Sequence, residues 1–285
     1  MEKDEIELMV AENQIAIDFD ALSMQEEEST ILPQSVIKPV NYEWIKEEVL
    51  FIVVKAYNNA VAKDLPSLRL CGKKLLDWVL NAGSHCEYKI IEDCQDIIER
   101  VRAVNTDKKI IAVFYSDTPL LDRATFNGYC EYFSAHNMNF LQLKRGFIVK
   151  TEYLKSNYAI AQGVISKEDK RLMQVDSAKT LNYMSNIMYN KILNYHIKNG
   201  VIIYGESSVF IDADVEIEGG VIIYPNNIIK GQSIIAEGAV LESGNIIKDS
   251  IISNNAVIKN SYIENSKIGT GVTIEPLSKI IGQEI

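Results

Sequence analysis

The stretch Ile211-Asp212-Ala213-Asp214-Val215-Glu216-Ile217-Glu218-Gly219-Gly220-Val221-Ile222-Ile223 carries an aliphatic side chain at 211, 217 and 223. A spacing of six fits neither an amphipathic helix nor a flat alternating strand. The rhythm continues outward through Ile229, Ile235, Leu241 and Ile247, then Ile252, Ile258, Ile263, Ile268, Ile274 and Ile280. Most steps are six residues and three are five: 247 to 252, 258 to 263 and 263 to 268. A repeat this short cannot bury its own apolar face, so successive rungs must stack into a prism whose interior is the aliphatic column. Three hexads per turn give about four coils, each rising by roughly the 4.8 Å that separates neighbouring strands. Small residues four places on (Val215, Val221, Ser233, Ala239, Ala256, Val272) leave room for corners. Asn227 and Asn245 share that slot one coil apart, which predicts stacked side-chain amides.

The wording of the repeats, Ile211 to Ile217, Val221-Ile222-Ile223-Tyr224-Pro225, Ile258-Lys259-Asn260-Ser261 and Ile268-Gly269-Thr270-Gly271-Val272-Thr273-Ile274, resembles one family. It is the bacterial bifunctional N-acetylglucosamine-1-phosphate uridyltransferase/glucosamine-1-phosphate acetyltransferase, and the match runs from about 176 to 276. The resemblance implies a left-handed parallel β-helix of hexapeptide repeats and a homotrimer. The left hand comes from the resemblance alone, because crossovers between parallel strands are otherwise right-handed in about 98% of cases.

At 285 residues and 47% apolar content, the chain is long enough for two cored domains. Its longest strongly apolar run, Val49–Val54, is far short of the roughly 20 residues of a membrane span. The acidic start Met1-Glu2-Lys3-Asp4-Glu5 is unlike a secretion signal, so a cytoplasmic location is expected. Cys71, Cys86, Cys94 and Cys130 lack metal-ligand spacing and read as reduced, mostly buried thiols. The net charge of −10 is carried by residues 1 to 50, where thirteen acidic residues face only Lys3, Lys38 and Lys46. An overall basic surface for nucleic acid is thereby excluded. Residues 1–42 read as an acidic extension and linker, with Pro33 and Pro39 as breaks; a disordered arm and a partner-binding segment are both open.

From 43 to 176 strands and helices alternate. Strands are expected at 49–54, 87–91, 110–115, 139–143, 146–149 and 159–165, with helices at 73–81, 95–104 and 123–136. This succession predicts an open, parallel, Rossmann-like sheet. Ser177 reads as the N-cap of a linker helix over 177–200, with Leu181, Met184, Ile187, Met188, Ile192 and Leu193 at helical spacing and Gly200 closing it. Residues 201–285 form the β-helix.

Nucleotidyl transfer requires donors on the triphosphate, a metal held by carboxylates, and cations on the developing charge. Tyr115-Ser116-Asp117-Thr118-Pro119-Leu120 resembles the family's Gly-Asp-x-Pro-Leu segment, whose aspartate binds Mg²⁺, with Ser116 in place of glycine. Gln174-Val175-Asp176-Ser177-Ala178 falls where the family has Gly-Val-Asn-x-Arg, which puts Asp176 at the second ligand position. Without a metal, Asp117 is a turn residue and Asp176 a cap. The family's glycine-rich phosphate loop corresponds to Lys55-Ala56-Tyr57-Asn58-Asn59-Ala60-Val61-Ala62, which has no glycine and no arginine. Asn58 and Asn59 tolerate left-handed dihedrals, but a Cβ obstructs close approach of phosphate to the backbone. In Asp64-Leu65-Pro66-Ser67 serine stands where the family has a substrate-contacting lysine, leaving Lys55, Lys63, Lys73 and Lys74 as nearby cations. No uracil-reading segment or Asn-x-Gly sugar loop is visible.

Removing one preorganised donor costs a factor of about 10² to 10³ in rate, so losing the cradle, an arginine and a lysine together predicts weak or lost catalysis. The family's acetyl-transfer histidine lies in later coils, and His85, His136 and His196 all fall outside the repeats, so acetyl transfer is not expected of these residues. His196, near the end of the linker helix, reads as a dipole contact. The leading expectation is a protein that binds a nucleotide sugar or a protein partner as a scaffold or regulator. An Mg²⁺-dependent nucleotidyltransferase with a divergent site, and a purely structural trimeric module, are the alternatives.

Overall fold

The computed structural model describes residues 42–58, 61–156 and 170–285. The acidic extension, Asn59 and the strand expected at 159–165 lie outside them. Packing divides the chain into two compact units, one holding the described residues up to Leu68 and from Lys74 to Thr180, the other Arg69–Lys73 with Leu181–Ile285.

In the first unit, the helix Glu43–Glu48 leads into β1 (Val49–Lys55), which is buried along almost its whole length and therefore central. After the short strands β2 (Arg69–Leu70) and β3 (Lys73–Lys74), which but for Lys74 belong to the second unit, come the helix Leu75–Ala82, then β4 (Glu87–Glu92) and the helix Ile97–Arg102. β5 (Ile110–Tyr115), the helix Arg123–Ala135, β6 (Phe140–Leu143) and β7 (Gly146–Lys150) complete the sheet. The strand order is β4-β1-β5-β7-β6. Alternate residues of β1 face opposite layers, as the pleat requires. Val49, Phe51 and Val53 pack with Val79, Phe126, Tyr129 and Phe133, while Leu50, Ile52 and Val54 pack with Val101, Ile111, Phe147 and Leu154. Helices therefore cover both faces of the sheet, an open α/β arrangement.

Two expectations need correction. The sheet is mixed rather than parallel: β4, β1 and β5 run parallel, whereas β7 is antiparallel to both β5 and β6. Leu143 pairs with Gly146, so only Lys144 and Arg145 link β6 to β7, too few residues for a parallel crossover. The helix expected from Lys73 starts instead at Leu75. Cys71 (φ +49°) and Gly72 (φ +81°) turn the chain between β2 and β3, so Lys73–Lys74 is extended.

In the second unit the repeats close into a left-handed parallel β-helix of three faces. One face stacks Ile202–Ile203, Ile222–Ile223, Val240–Leu241, Val257–Ile258 and Thr273–Ile274. The next stacks Phe210–Ile211, Ile228–Lys230, Ile246–Lys248, Tyr262–Glu264 and Lys279–Ile281. The third stacks Glu216–Ile217, Ile234–Ile235, Ile251–Ile252 and Lys267–Ile268. Every aliphatic position of the six-residue series lies in the buried column. The expected amide ladder is present: Asn245 Nδ2 donates to Asn227 Oδ1 at 2.9 Å, and Asn245 Oδ1 accepts from the Ser261 N–H at 2.9 Å.

The three five-residue steps share one device. Each corner has Asp249, Asn260 or Asn265 at positive φ (46°, 35° and 47°), followed by a buried serine. Ser250, Ser261 and Ser266 donate their hydroxyls to the carbonyls of Lys248, Lys259 and Glu264 at 2.7, 2.7 and 2.8 Å. Six-residue corners also carry one left-handed residue, such as Asn226 or Asn255, but their serines Ser233 and Ser278 bond to carbonyls three residues back; in the five-residue corners the serine satisfies a carbonyl two residues back.

Among the described residues no helix is long and apolar enough to cross a membrane. Cys71, Cys86 and Cys130 are buried free thiols and Cys94 is exposed. His196 corrects its dipole reading, because it is buried, its Nδ1 has no partner among the described residues, and burial pushes its pKa down. A charge–dipole contact would push it the other way.

Candidate functional site

The chain goes from β1 outward to β4 and then crosses back to β5 on the other side of β1. The reversal makes the carboxyl ends of β1 and β5 a topological switch point, and open α/β sheets bind ligands in the crevice outside such strand ends. The segments carrying Lys55–Asn58 and Tyr115–Thr118 both end there, and Val175 joins them by donating its N–H to the Asp117 carbonyl at 2.8 Å. Sequence-predicted residues Lys55, Asn58, Asp117 and Asp176 are thus gathered in the first unit. Lys63, on the loop after β1, is exposed. Lys73 belongs to the solenoid unit, where its ammonium pairs with Asp214 at 2.8 Å.

The loop after β1 is occupied with its own hydrogen bonds. The Ala56 N–H donates to the Ser116 hydroxyl at 2.9 Å, and Ser116 is fully buried. The serine in the family's glycine position therefore takes up the first amide that could face a phosphate. Further along, the N–H groups of Val61 and Ala62 both donate to the Asn58 carbonyl at 3.1 Å. Asn58 Nδ2 donates to the Asp176 carbonyl at 3.2 Å, tying this loop to the segment before the linker helix. Lys55 pairs with Glu92 of β4 at 2.7 Å, and the Tyr57 hydroxyl also donates to Glu92. Hydrogen bonding to Glu92, chiefly, raises the Lys55 pKa, and the bonds from Lys55 and Tyr57 lower that of Glu92.

Asp117 is almost fully buried and meets a guanidinium. Arg145 donates from Nε to Oδ1 at 3.1 Å and from Nη2 to Oδ2 at 2.8 Å, a two-pronged pair. The same guanidinium lies 3.8 Å from the centre of the Tyr115 ring, within cation–π range. Burial pushes the Asp117 carboxyl above its ordinary pKa, and Arg145 pulls it partly back. Asp176 is exposed, and its carboxylate accepts from the Thr180 hydroxyl at 2.9 Å. That bond, then one to Ser177, lowers its pKa. Ser177 caps the linker helix Ala178–Lys198 as expected, its hydroxyl accepting from the Thr180 N–H at 3.2 Å.

Arg145 and Ser116 escaped sequence reasoning as site residues. The signal for Arg145 was the pair Lys144-Arg145 followed by glycine between two apolar runs, a hairpin-turn pattern. Gly146 pairs with Phe114, and a Cβ there would lie 2.2 Å from the Val113 carbonyl oxygen. Only glycine lets β7 begin so close to β5, which is what carries Arg145 to Tyr115 and Asp117. Gln142 Nε2 braces the turn by donating to the Leu143 and Gly146 carbonyls at 3.0 and 2.8 Å.

No family model matches the chain. It is similar to the bifunctional protein GlmU of Clostridium acetobutylicum, with 35% identity over 118 residues, 41% of this chain and 26% of that one. The GlmU of Caldanaerobacter subterraneus is 26% identical over 194 residues, 67% of this chain and 39% of that one. These matches take in well under half the length of the GlmU proteins. Among solved structures, Rv0371c from Mycobacterium tuberculosis aligns at 9% identity with a TM-score of 0.37, over 49% of this chain and 97% of its own. 4-Diphosphocytidyl-2C-methyl-D-erythritol synthase from Anaerococcus prevotii aligns at 8% identity with a TM-score of 0.36, over 51% of this chain and 98% of its own.

Proposed function

We propose that this chain is a sugar-1-phosphate nucleotidyltransferase-type protein, of the UDP-N-acetylglucosamine pyrophosphorylase kind, that binds a nucleotide sugar with weak or lost turnover. It serves as a scaffold or regulator. The relationship to GlmU supports the ligand class, and the crevice at the ends of β1 and β5 supports its place. The observation that carries the loss of turnover is the loop after β1. The Ala56 N–H is taken by Ser116, and those of Val61 and Ala62 by the Asn58 carbonyl. Catalysis at a triphosphate needs donors aimed at developing charge and free to meet it, and each one removed costs about 10² to 10³ in rate.

The β-helix assembles the chain as a homotrimer on this reading. The family resemblance supports it, as do the outward apolar rows Ile202, Ile222, Val240, Val257 and Phe210, Ile228, Ile246, Tyr262.

The test is pyrophosphate release from UTP and N-acetylglucosamine 1-phosphate, with calorimetry of UDP-N-acetylglucosamine alongside. The expected result is saturable binding with turnover several orders of magnitude below that of an active uridyltransferase. Rapid turnover that Asp117→Ala abolishes would refute the loss of catalysis.

A further inference from the structure

The family resemblance implies a Mg²⁺ ion between Asp117 and Asp176, and the residues present do not fit one. Mg²⁺ demands oxygen ligands in near-octahedral array. Both oxygens of Asp117 already accept from Arg145, and the Asp176 carboxylate accepts from Thr180. No group of three or more His, Cys, Asp or Glu side chains among the described residues could hold a metal. A divalent ion at Asp117 would have to displace a two-pronged guanidinium from a nearly fully buried carboxylate.

We propose that Arg145 stands in place of the metal: a resident cation, held on Asp117 and the Tyr115 ring, that receives the phosphate of a nucleotide in the crevice without any divalent ion. Arginine has five N–H donors, and Asp117 uses two of them. The other three meet no hydrogen-bond acceptor among the described residues, and the side chain is one quarter exposed. A planar fork with spare donors suits phosphate oxygens. Its carboxylate partner fixes the orientation, as outer groups do for metal ligands. The hairpin supports the assignment independently, because Gly146 is the residue type that brings Arg145 to this place. The phosphate part rests on the proposed nucleotide-binding function, whereas the exclusion of the metal does not.

Two measurements on the full chain separate them. Mn²⁺ is titrated into the wild type and Asp117→Asn while free Mn²⁺ is followed by electron paramagnetic resonance. The expected result is no wild-type site beyond what Asp117→Asn retains. A single site in the wild type that Asp117→Asn removes would overturn the proposal. UDP is then titrated calorimetrically in EDTA and in excess MgCl₂. Equal affinity in the two buffers is expected, with a loss of about tenfold or more in Arg145→Gln, whose folding circular dichroism verifies. UDP binding that needs Mg²⁺, or that Arg145→Gln leaves intact, would overturn it. If UDP fails to bind in either buffer, the nucleotide-binding reading falls, while the Mn²⁺ titration still decides whether arginine has replaced the metal.

Discussion

At the scale of single residues, the crevice depends on contacts that tolerate little change. Gly146 has φ +124° and sits beside the Val113 carbonyl, so Gly146→Ala must move β7 away from β5 or strain both. A loss of about 3 kcal/mol is expected, at the upper end of ordinary substitutions, and urea unfolding measures it. The variant should also release Arg145 from Tyr115, so its UDP affinity should fall further than that of an equally destabilised core variant such as Ile268→Ala. His196 gives a pH dependence. Burial holds its pKa below the ordinary value of about 6.5 in the folded state. Between the folded value and about 6.5 the unfolded chain binds more protons, so stability is full above this window and declines as pH falls through it. His85, whose pKa is likewise lowered by burial, adds a slope of the same sign. Melting temperatures should therefore drop from pH 7.5 to pH 5.5, and His196→Leu should flatten part of that drop. An unchanged slope in His196→Leu would place the titration elsewhere.

At the scale of elements, the solenoid was legible to the residue, because a buried aliphatic every six positions leaves only one way to hide a continuous column. The amide ladder was legible for the same reason: Asn227 and Asn245 occupied one slot in successive coils. What periodicity did not disclose was how a five-residue step closes. The motif Lys-Asp-Ser, Lys-Asn-Ser or Glu-Asn-Ser at 248–250, 259–261 and 264–266 closes it with a left-handed residue directly followed by a serine that bonds to the carbonyl two residues back. Asn265→Val should therefore cost about 1 to 2 kcal/mol, since a β-branched side chain is poorly tolerated there, whereas Asn265→Gly should cost only a few tenths. Guanidinium unfolding of the two variants side by side separates corner strain from lost side-chain contact, because both lack the amide. In the α/β unit, element positions were legible from apolar runs and caps, but strand direction was not. Two neighbouring apolar runs look alike whether they run up or down, and only the two-residue link at Lys144-Arg145 forces the reversal. The same link hid the site, since a turn arginine looks solvated until the sheet places it over Asp117.

At the scale of the whole molecule, the apolar rows on the outside of the β-helix raise the question of what covers them. Phe210, Ile228, Ile246 and Tyr262 stack in register along one face, with Ile202, Ile222, Val240 and Val257 along the next. Phe210, Ile246 and Ile202 are exposed in the single chain. Contiguous apolar strips of this kind mark interaction surfaces rather than ordinary solvent-facing patches. The proposed homotrimer would bury the strips of each copy against the next in a closed ring, with no unsatisfied face left to propagate fibres. The chain is 32.1 kDa, so light scattering should give about 96 kDa at micromolar concentration. Ile246→Lys places one ammonium in the middle of each such interface, where an unpaired charge costs several kcal/mol, so the variant should sediment near 32 kDa with its β-helix circular dichroism intact. A wild type that is already monomeric, or an Ile246→Lys variant that keeps the full assembly mass, would show that the rows meet something other than further copies of this chain.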